Sequence, residues 1–329
     1  MTRIALDAMG GDYAPEQVVI GAVEAACGIK DVKILLVGQM APIQAELDKL
    51  DKKLKIQAQQ AIEKGTLEII HAPDVAEMDE SPVDAVRNKK DCSINVAMRL
   101  VKEKRADVFV SAGNSGAVAT SAIFTLGRIP GVKRPAIATV LPNRNPNRPL
   151  MVLDAGANMD CHPEWLVQFA IMGNAYSKAV LKRGVPAVGL ISIGTEDCKG
   201  NEMTKATFPL LKEVKDINFV GNVVLKTTES IAKAIGYWLK KECFKGIFRI
   251  FGAILLRGAF HSLKEQLDPE IYGGAPLLGV PGAVIIGHGS SSHKAIYYAV
   301  KAGVAAATND VTGLIAKAIA DHVEDLKQK

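Results

Sequence analysis

At 329 residues the chain is long enough for one large α/β domain or two smaller ones. Forty Lys and Arg against 35 Asp and Glu leave a net charge of +5, too mild to imply a nucleic-acid partner by itself. The five cysteines (Cys27, Cys92, Cys161, Cys198, Cys243) are scattered and never in C-x-x-C spacing, which argues against a disulfide framework or a structural zinc and for a reducing compartment. No apolar run reaches the length of a membrane span, and the N-terminus enters a strand at once rather than an export signal, so a cytoplasmic location is expected.

Arg3 to Asp7 reads as a short strand ending in Asp7-Ala8-Met9-Gly10-Gly11-Asp12. Pro15 then starts a helix with Val18, Val19, Ala22, Val23 and Ala26 on one face. Lys33 to Gly38 is a second strand, Pro42 opens a polar helical region through Lys64, and Leu67 to His71 is a third strand. This alternation of strand and helix, without hairpin signals, predicts a mostly parallel sheet with helices on both faces. Ser81-Pro82 starts a short helix that carries Arg87, Lys89 and Lys90, with Ser93 behind them. Its two readings are a solvated basic face and a cationic wall facing a bound anion.

Ala106 to Arg128 is the most informative stretch. Val108, Phe109 and Val110 form a buried strand that turns through Ser111-Ala112-Gly113-Asn114-Ser115-Gly116-Ala117 into a helix of small and apolar residues. Such a turn aims backbone N–H groups outward at the positive end of the helix dipole, the arrangement that holds phosphate. Gly113 and Gly116 permit close approach, and Ser111, Asn114 and Ser115 add donors and a cap. The turn matches neither G-x-x-x-x-G-K-[ST] nor G-x-G-x-x-G, so a nucleotide loop is not indicated; the plain alternative is an ordinary capped βα turn.

Arg128 to Pro135 follows as a turn with three cations. Ala136–Leu141 and Leu150–Asp154 are strands, the second running into Asp154-Ala155-Gly156-Ala157-Asn158. A helix from Pro163 to Lys182, a strand Ala187–Ile193 ending in Gly194-Thr195-Glu196-Asp197-Cys198-Lys199-Gly200-Asn201, a helix to Lys215 and a strand Ile217–Val220 come next. Four strands thus end in polar turns, at Asp7, Ser111, Asp154 and Gly194, and the expectation is that they share a crevice at the C-terminal strand edge. Residues 226–267 differ in character: Ile247, Phe248, Phe251, Ile254 and Leu255 line one helical face beside Lys240, Lys241, Lys245, Arg249, Arg257 and Lys264. That pattern reads either as a hairpin buried in a dimer interface or as a basic amphipathic element on an anionic membrane surface. Tyr272–Gly279 is a loop able to pass close to a ligand. Ala283–Gly287 is the last strand, followed by His288-Gly289-Ser290-Ser291-Ser292 and two closing helices, through Ala307 and from Val311 to Lys327.

Taken together, these turns resemble the phosphate acyltransferase family of bacterial phospholipid synthesis. The matching residues are Asp7–Asp12 (DAMGGD), Asp84–Ser93 (DAVRNKKDCS), Ser111–Ala117 (SAGNSGA), Asp154–Asn158 (DAGAN), Ile193–Glu202 (IGTEDCKGNE), Tyr272–Val280 (YGGAPLLGV) and His288–Ser291 (HGSS), in family order over nearly the whole chain. The resemblance implies a single α/β domain over residues 1–329, three-layered, with a mostly parallel sheet like phosphotransacetylase and isopropylmalate dehydrogenase and a protruding helical hairpin at 226–267. It implies acyl transfer from acyl carrier protein thioester to inorganic phosphate, in a homodimer that is cytoplasmic and peripherally membrane-associated. The acyl phosphate would pass to a membrane glycerol-3-phosphate acyltransferase, and no cofactor or metal is implied. One departure stands out: the family has a further strand and a second Gly-Asn turn between Asn222 and Val223, where this chain has one Gly-Asn. Because losing a strand disrupts a sheet, the expectation is a loop left out of the numbering.

The chemistry agrees with the residue reading. Phosphate is already an anionic nucleophile, and a thiol leaving group with a pKa of about 8.5 needs little acid help. Such a site has to hold phosphate in line and stabilise an oxyanion. The expected phosphate residues are Ser111, Gly113, Asn114, Ser115 and Gly116, with Arg87, Lys90 or Lys199 neutralising the anion. His288 or Asn158 would polarise the thioester carbonyl, and Asp7, Asp12 and Asp154 would orient the cations. The competing readings are a phosphotransacetylase-like transfer with coenzyme A and a membrane-surface scaffold built on 226–267.

Overall fold

The computed structural model describes residues 1–143, 145, 148–154, 156–158, 160–193, 199–223, 245–246, 251–252, 255–256, 258–259, 262 and 268–327. The expected hairpin at 226–267 and the turn at 194–198 therefore lie, but for a few positions, outside the described residues.

The chain opens with β1 (Thr2–Asp7), α1 (Glu16–Gly28), β2 (Val32–Gly38), α2 (Met40–Lys49), α3 (Lys52–Glu63) and β3 (Leu67–His71). The polar stretch expected as one helical region from Pro42 is two helices, and the first starts before Pro42; the break follows Leu50, where Asp51 caps α3 by accepting from Leu54 N. Next come α4 (Pro82–Asn88), α5 (Ser93–Lys102), β4 (Val108–Ser111) and α6 (Ser115–Thr125). Of the basic trio only Arg87 is in α4; Lys89 is its C-terminal cap and Lys90 lies beyond it.

After these follow β5 (Ala136–Leu141), β6 (Leu150–Leu153), α7 (Pro163–Ala179), β7 (Ala187–Ile191), α8 (Glu202–Lys212) and β8 (Asn218–Val223). A 3-10 turn (Pro269–Tyr272), β9 (Ala275–Leu278), β10 (Ala283–Ile286), α9 (His293–Thr308) and α10 (Val311–Lys327) close the fold. Eight strands form one sheet in the order β3-β2-β1-β4-β10-β9-β5-β6, and β7 and β8 pair separately. From β3 to β10 the pairing is parallel; β9 and β6 run against it. The β5–β6 pair corrects the expectation of an alternation free of hairpins. Its connection is eight residues, 142–149, shorter than the dozen or so that a parallel crossover needs, so the strands return antiparallel.

Period-two alternation divides the core between the two sheet faces. Ile4, Leu6, Val108, Val110 and Ile285 pack with α1, α3 and α9. Ala5, Phe109, Val284 and Ile286 pack with α5 and α6. Phe109 is fully buried, which stabilises the fold by about 2–3 kcal/mol relative to exposing it. A third cluster, including Met172, Tyr176, Phe208, Leu278 and Ile315, joins α7, α8 and α10 over β9 and the small sheet. These layers make a three-layer α/β protein.

The departure at Asn222–Val223 falls at the end of β8. β8 runs from Asn218 to Val223 through Gly221, whose φ of +94° suits glycine, and its pairing with β7 shifts register between Val188 and Leu190, a bulge beside that departure.

Candidate active site at the ends of three parallel strands

Three neighbouring parallel strands, β1, β4 and β10, end side by side. Strand parity explains which side chains meet there. Asp7 falls on the same face as Ala5, and Ser111 on the same face as Phe109, so both point toward α5 and α6. Ser111 Oγ donates to Asp7 Oδ2 at 2.7 Å, and Gly113 N donates to Ser111 Oγ at 3.0 Å. Met9 N adds a bond to Asp7 Oδ1 at 3.1 Å. Asp7 is 1% exposed, and burial pushes its carboxyl pKa up against the opposing pull of the Ser111 and Ser93 hydroxyls and the Met9 and Gly10 amides. The turns after β1 and β4 touch through backbone: a Cβ on Gly10 would lie 2.6 Å from Gly113 N and 2.5 Å from Asp7 Oδ2.

Asn114 caps α6 by accepting from Ala117 N at 3.0 Å, while its amide donates to Met78 O and Glu80 O, each at 3.1 Å. It thereby clamps a second loop over the turn. That loop is held from behind by Lys89, whose Nζ bonds Glu80 at 2.7 Å and Val75 O at 2.8 Å. Lys89 is positioned in turn by buried Asn95, which donates to Val86 O and Lys89 O and accepts from Ser121 Oγ. The N–H groups of Ser115 and Gly116, in the first turn of α6, have no acceptor within the helix, and the Ser115 side chain is exposed beside them. These donors and the positive end of the α6 dipole suit an anion.

The turn after β10 is stitched to the other two. Gly287 N donates to Ser111 O at 2.7 Å, and Asp12 N to Gly289 O at 2.8 Å. His288 Nδ1 accepts from Ser290 N at 3.2 Å and lies 2.8 Å from Ser290 Oγ. A backbone N–H can only donate, so the neutral imidazole carries its proton on Nε2, which is free to donate to a substrate oxygen.

The expected site residues thus fall into distinct places. Ser111 and Gly113 brace the turn from behind, Asn114 clamps its neighbour, and Ser115, Gly116 and His288 remain outward. Asp7 binds hydroxyls and amides, and Asp12 is exposed; the sequence expectation was that both orient cations, but among the described residues neither forms an ion pair. Asp154 and Asn158 do not join this cluster. Because β6 runs backwards, its last residue Leu153 pairs with Ala138 near the start of β5, so Asp154 leaves the sheet at the edge opposite Ser111. Both amide hydrogens of Asn158 are used there, on Asp154 Oδ1 at 2.9 Å and Pro135 O at 3.0 Å. Cys161 Sγ donates to Asp154 Oδ2 at 2.9 Å, and burial together with that bond pushes its pKa up to about 12. Lys199 is exposed beside the small sheet, its carbonyl accepting from Ser192 Oγ. Arg87 sits 5.5 Å over the Phe124 ring, toward the far end of α6, and Lys90 is exposed past α4. Sequence reasoning named Lys89 and Ser93 only as part of a basic helix, without these roles, and missed Glu80 and Asn95. The available signal was a polar residue at an inward helix position, as at Ser93 and Asn95.

A family model described as "Fatty acid synthesis protein" matches residues 2–223 and again 216–314. A phosphate acyltransferase of Trichodesmium erythraeum is 42% identical over an alignment of 335 positions that covers 94% of each chain. One from Halothermothrix orenii is 43% identical, covering 96% of this chain and 98% of its own. Among solved structures, a phosphotransacetylase from Streptococcus pyogenes superposes with a TM-score of 0.60 at 16% identity, covering 93% and 94% of the two chains. A branched-chain phosphotransacylase from Enterococcus faecalis gives 0.57 at 11% identity, covering 93% and 99%. These structural likenesses concern the fold.

Proposed function

The chain belongs to the fatty acid synthesis protein family, with phosphate acyltransferases as its relatives, and from that premise we propose how it carries out acyl transfer to phosphate. The protein is an enzyme that moves a fatty acyl group from a thioester to inorganic phosphate, forming acyl phosphate. Phosphate rests on the Ser115 and Gly116 N–H groups and the Ser115 hydroxyl, at the positive end of α6. The thioester carbonyl points at His288 Nε2–H across the adjoining turn. A phosphate oxygen attacks the carbonyl carbon to form a tetrahedral oxyanion, which collapses with cleavage of the C–S bond; the phosphate loses its proton to solvent and the departing thiolate takes one up, leaving acyl phosphate and free thiol. The protein's share is positioning and oxyanion stabilisation, which is why no Ser-His-Asp set is needed. The observation that carries this reading is the pairing of outward N–H donors on α6 with an Nε2-protonated His288 on neighbouring strand ends.

In this reading the acyl donor is carried on acyl carrier protein, and the enzyme acts as a cytoplasmic homodimer at the membrane surface. The apolar and basic faces of 226–267 support the dimer and membrane parts, and the acyl phosphate passes to a membrane glycerol-3-phosphate acyltransferase. No described helix is long and apolar enough to cross a membrane. Lys199, Arg87, Lys90 and Asn158 play no part in this arrangement. The test is phosphate-dependent consumption of acyl carrier protein thioester, with acyl phosphate identified by mass and coenzyme A thioester run in parallel. Liposome binding without phosphate-dependent thioester loss would overturn it in favour of a scaffold.

A further inference from the structure

A cavity of about 460 Å³ lies beyond the C-terminal end of α6, lined by Ile123, Arg128, Lys133, Arg134, Pro135 and Trp165. Its three cations are exposed, and among the described residues none has a carboxylate within ion-pair distance, although Glu164 stands next to Trp165. Two of the cations are held by side-chain contacts, and the backbone of the third is pinned. Arg134 stacks on the Trp165 ring at 5.1 Å, and Arg128 donates to the carbonyl of Lys133. Gln168, 6% exposed, accepts from Lys133 N at 2.8 Å and donates to Gly131 O at 2.9 Å, pinning the loop to α7. Exposed Phe124 adjoins the cavity on α6, with Arg87 over its ring.

Like charges gathered within one loop repel one another, so three cations without a carboxylate partner beside the half-buried Trp165 oppose the stabilisation that the stacking and the carbonyl bond give the loop. They are complementary to an acidic surface. The location matters as well. α6 has 11 residues, so the cavity at one end and the Ser115 donors at the other are about 16 Å apart along the helix. That separation suits a flexible thiol-bearing arm lying along α6 between its carrier and the phosphate.

We propose that the Arg128–Lys133–Arg134 cavity docks an acidic protein, the carrier of the acyl thioester, and places its arm along α6 toward Ser115. This rests on the reading of a carrier-borne donor given above. Contacts of this kind act through long-range charge, so they raise the encounter rate and are weakened by salt.

The experiment measures steady-state kinetics of the full-length protein with acyl carrier protein thioester and with a small acyl pantetheine thioester, at low and high salt. Arg128→Glu/Arg134→Glu is expected to lower kcat/KM for the carrier thioester at least tenfold, through KM, and to flatten its salt dependence. The small thioester and the phosphate KM are expected to be unchanged. Lys133→Glu, whose side chain has no hydrogen bond or ion pair among the described residues, is expected to act in the same direction by several-fold and covers the case where the double variant does not fold. Unchanged carrier kinetics in both folded variants would overturn the docking site. Equal loss with both donors would also overturn it, by placing the cavity in the catalytic machinery. A change of mass in light scattering would overturn it too, by assigning the patch to contact between copies. A wild-type enzyme active only with the small thioester would instead refute the carrier-borne donor, and this proposal with it.

Discussion

Ser111 Oγ and Asp7 Oδ2 lie 2.7 Å apart at the buried ends of two adjacent parallel strands, and Gly113 N bonds back onto the same hydroxyl. The turn after β4 is therefore braced from behind by a carboxylate 104 residues away in sequence. Ser111→Ala removes both bonds and is expected to cost about 1–3 kcal/mol, since it leaves buried groups without partners. It should also raise the phosphate KM. A double-mutant cycle with Asp7→Asn, read by denaturant unfolding, should give a coupling of about 1 kcal/mol or more.

The same carboxylate predicts a pH dependence. Burial raises its pKa in the folded state above the ordinary value of 3.8. Between those two pKa values the folded protein binds the proton more readily than the unfolded chain, so stability from this group falls as pH rises through that window. The wild-type Tm is expected to exceed that of Asp7→Asn by most at low pH, with the difference shrinking as pH rises.

Gly10→Ala is expected to displace the phosphate turn without touching substrate. Its Cβ would press on the Gly113 backbone at 2.6 Å, which cannot rotate away as a side chain could. Overpacking of this kind costs about 1–3 kcal/mol, and activity should fall further than the change in Tm alone accounts for. Thermal melting and kcat/KM measured on one preparation check both.

His288→Ala should lower kcat by about 10²–10³, the loss seen when an oxyanion donor is removed, while the phosphate KM changes little. Gly116→Ala should do the reverse. Its Cβ would meet Pro82 Cγ at 2.6 Å and push the covering loop away from the anion donors, raising the phosphate KM first. Steady-state kinetics with phosphate varied separates the two.

Cys161 is expected to resist alkylation at pH 8.5, because burial and its bond to Asp154 hold its pKa near about 12. Asp154→Asn removes the carboxylate that favours the protonated thiol, so Cys161 should react faster. Peptide mapping after iodoacetamide treatment reads the rate at that cysteine alone.

Much of the candidate site was legible in the chain. The strand Val108–Ser111, its Gly/Ser/Asn turn and the helix capped by Asn114 follow from hydrophobic alternation and capping chemistry within about twenty residues. The side-chain period of two also places Asp7 and Ser111 on faces that can meet once β1 and β4 pair. At Gly221 β8 bulges and the strand continues, a feature set by its pairing with β7.

The amino-acid sequence by itself determined the parallel half of the sheet, the anion turn and the position of His288 in a Gly/Ser turn, because propensity, periodicity and capping act over a few residues. Only the tertiary structure decided that β6 runs backwards and carries Asp154 and Asn158 to the far edge. It also decided that the Asn114 amide is consumed by Met78 and Glu80, and that the 128–134 cations gather around Trp165. Strand direction and hydrogen-bond partners are chosen by contacts between segments distant in sequence, where several pairings satisfy the same local pattern and packing selects one.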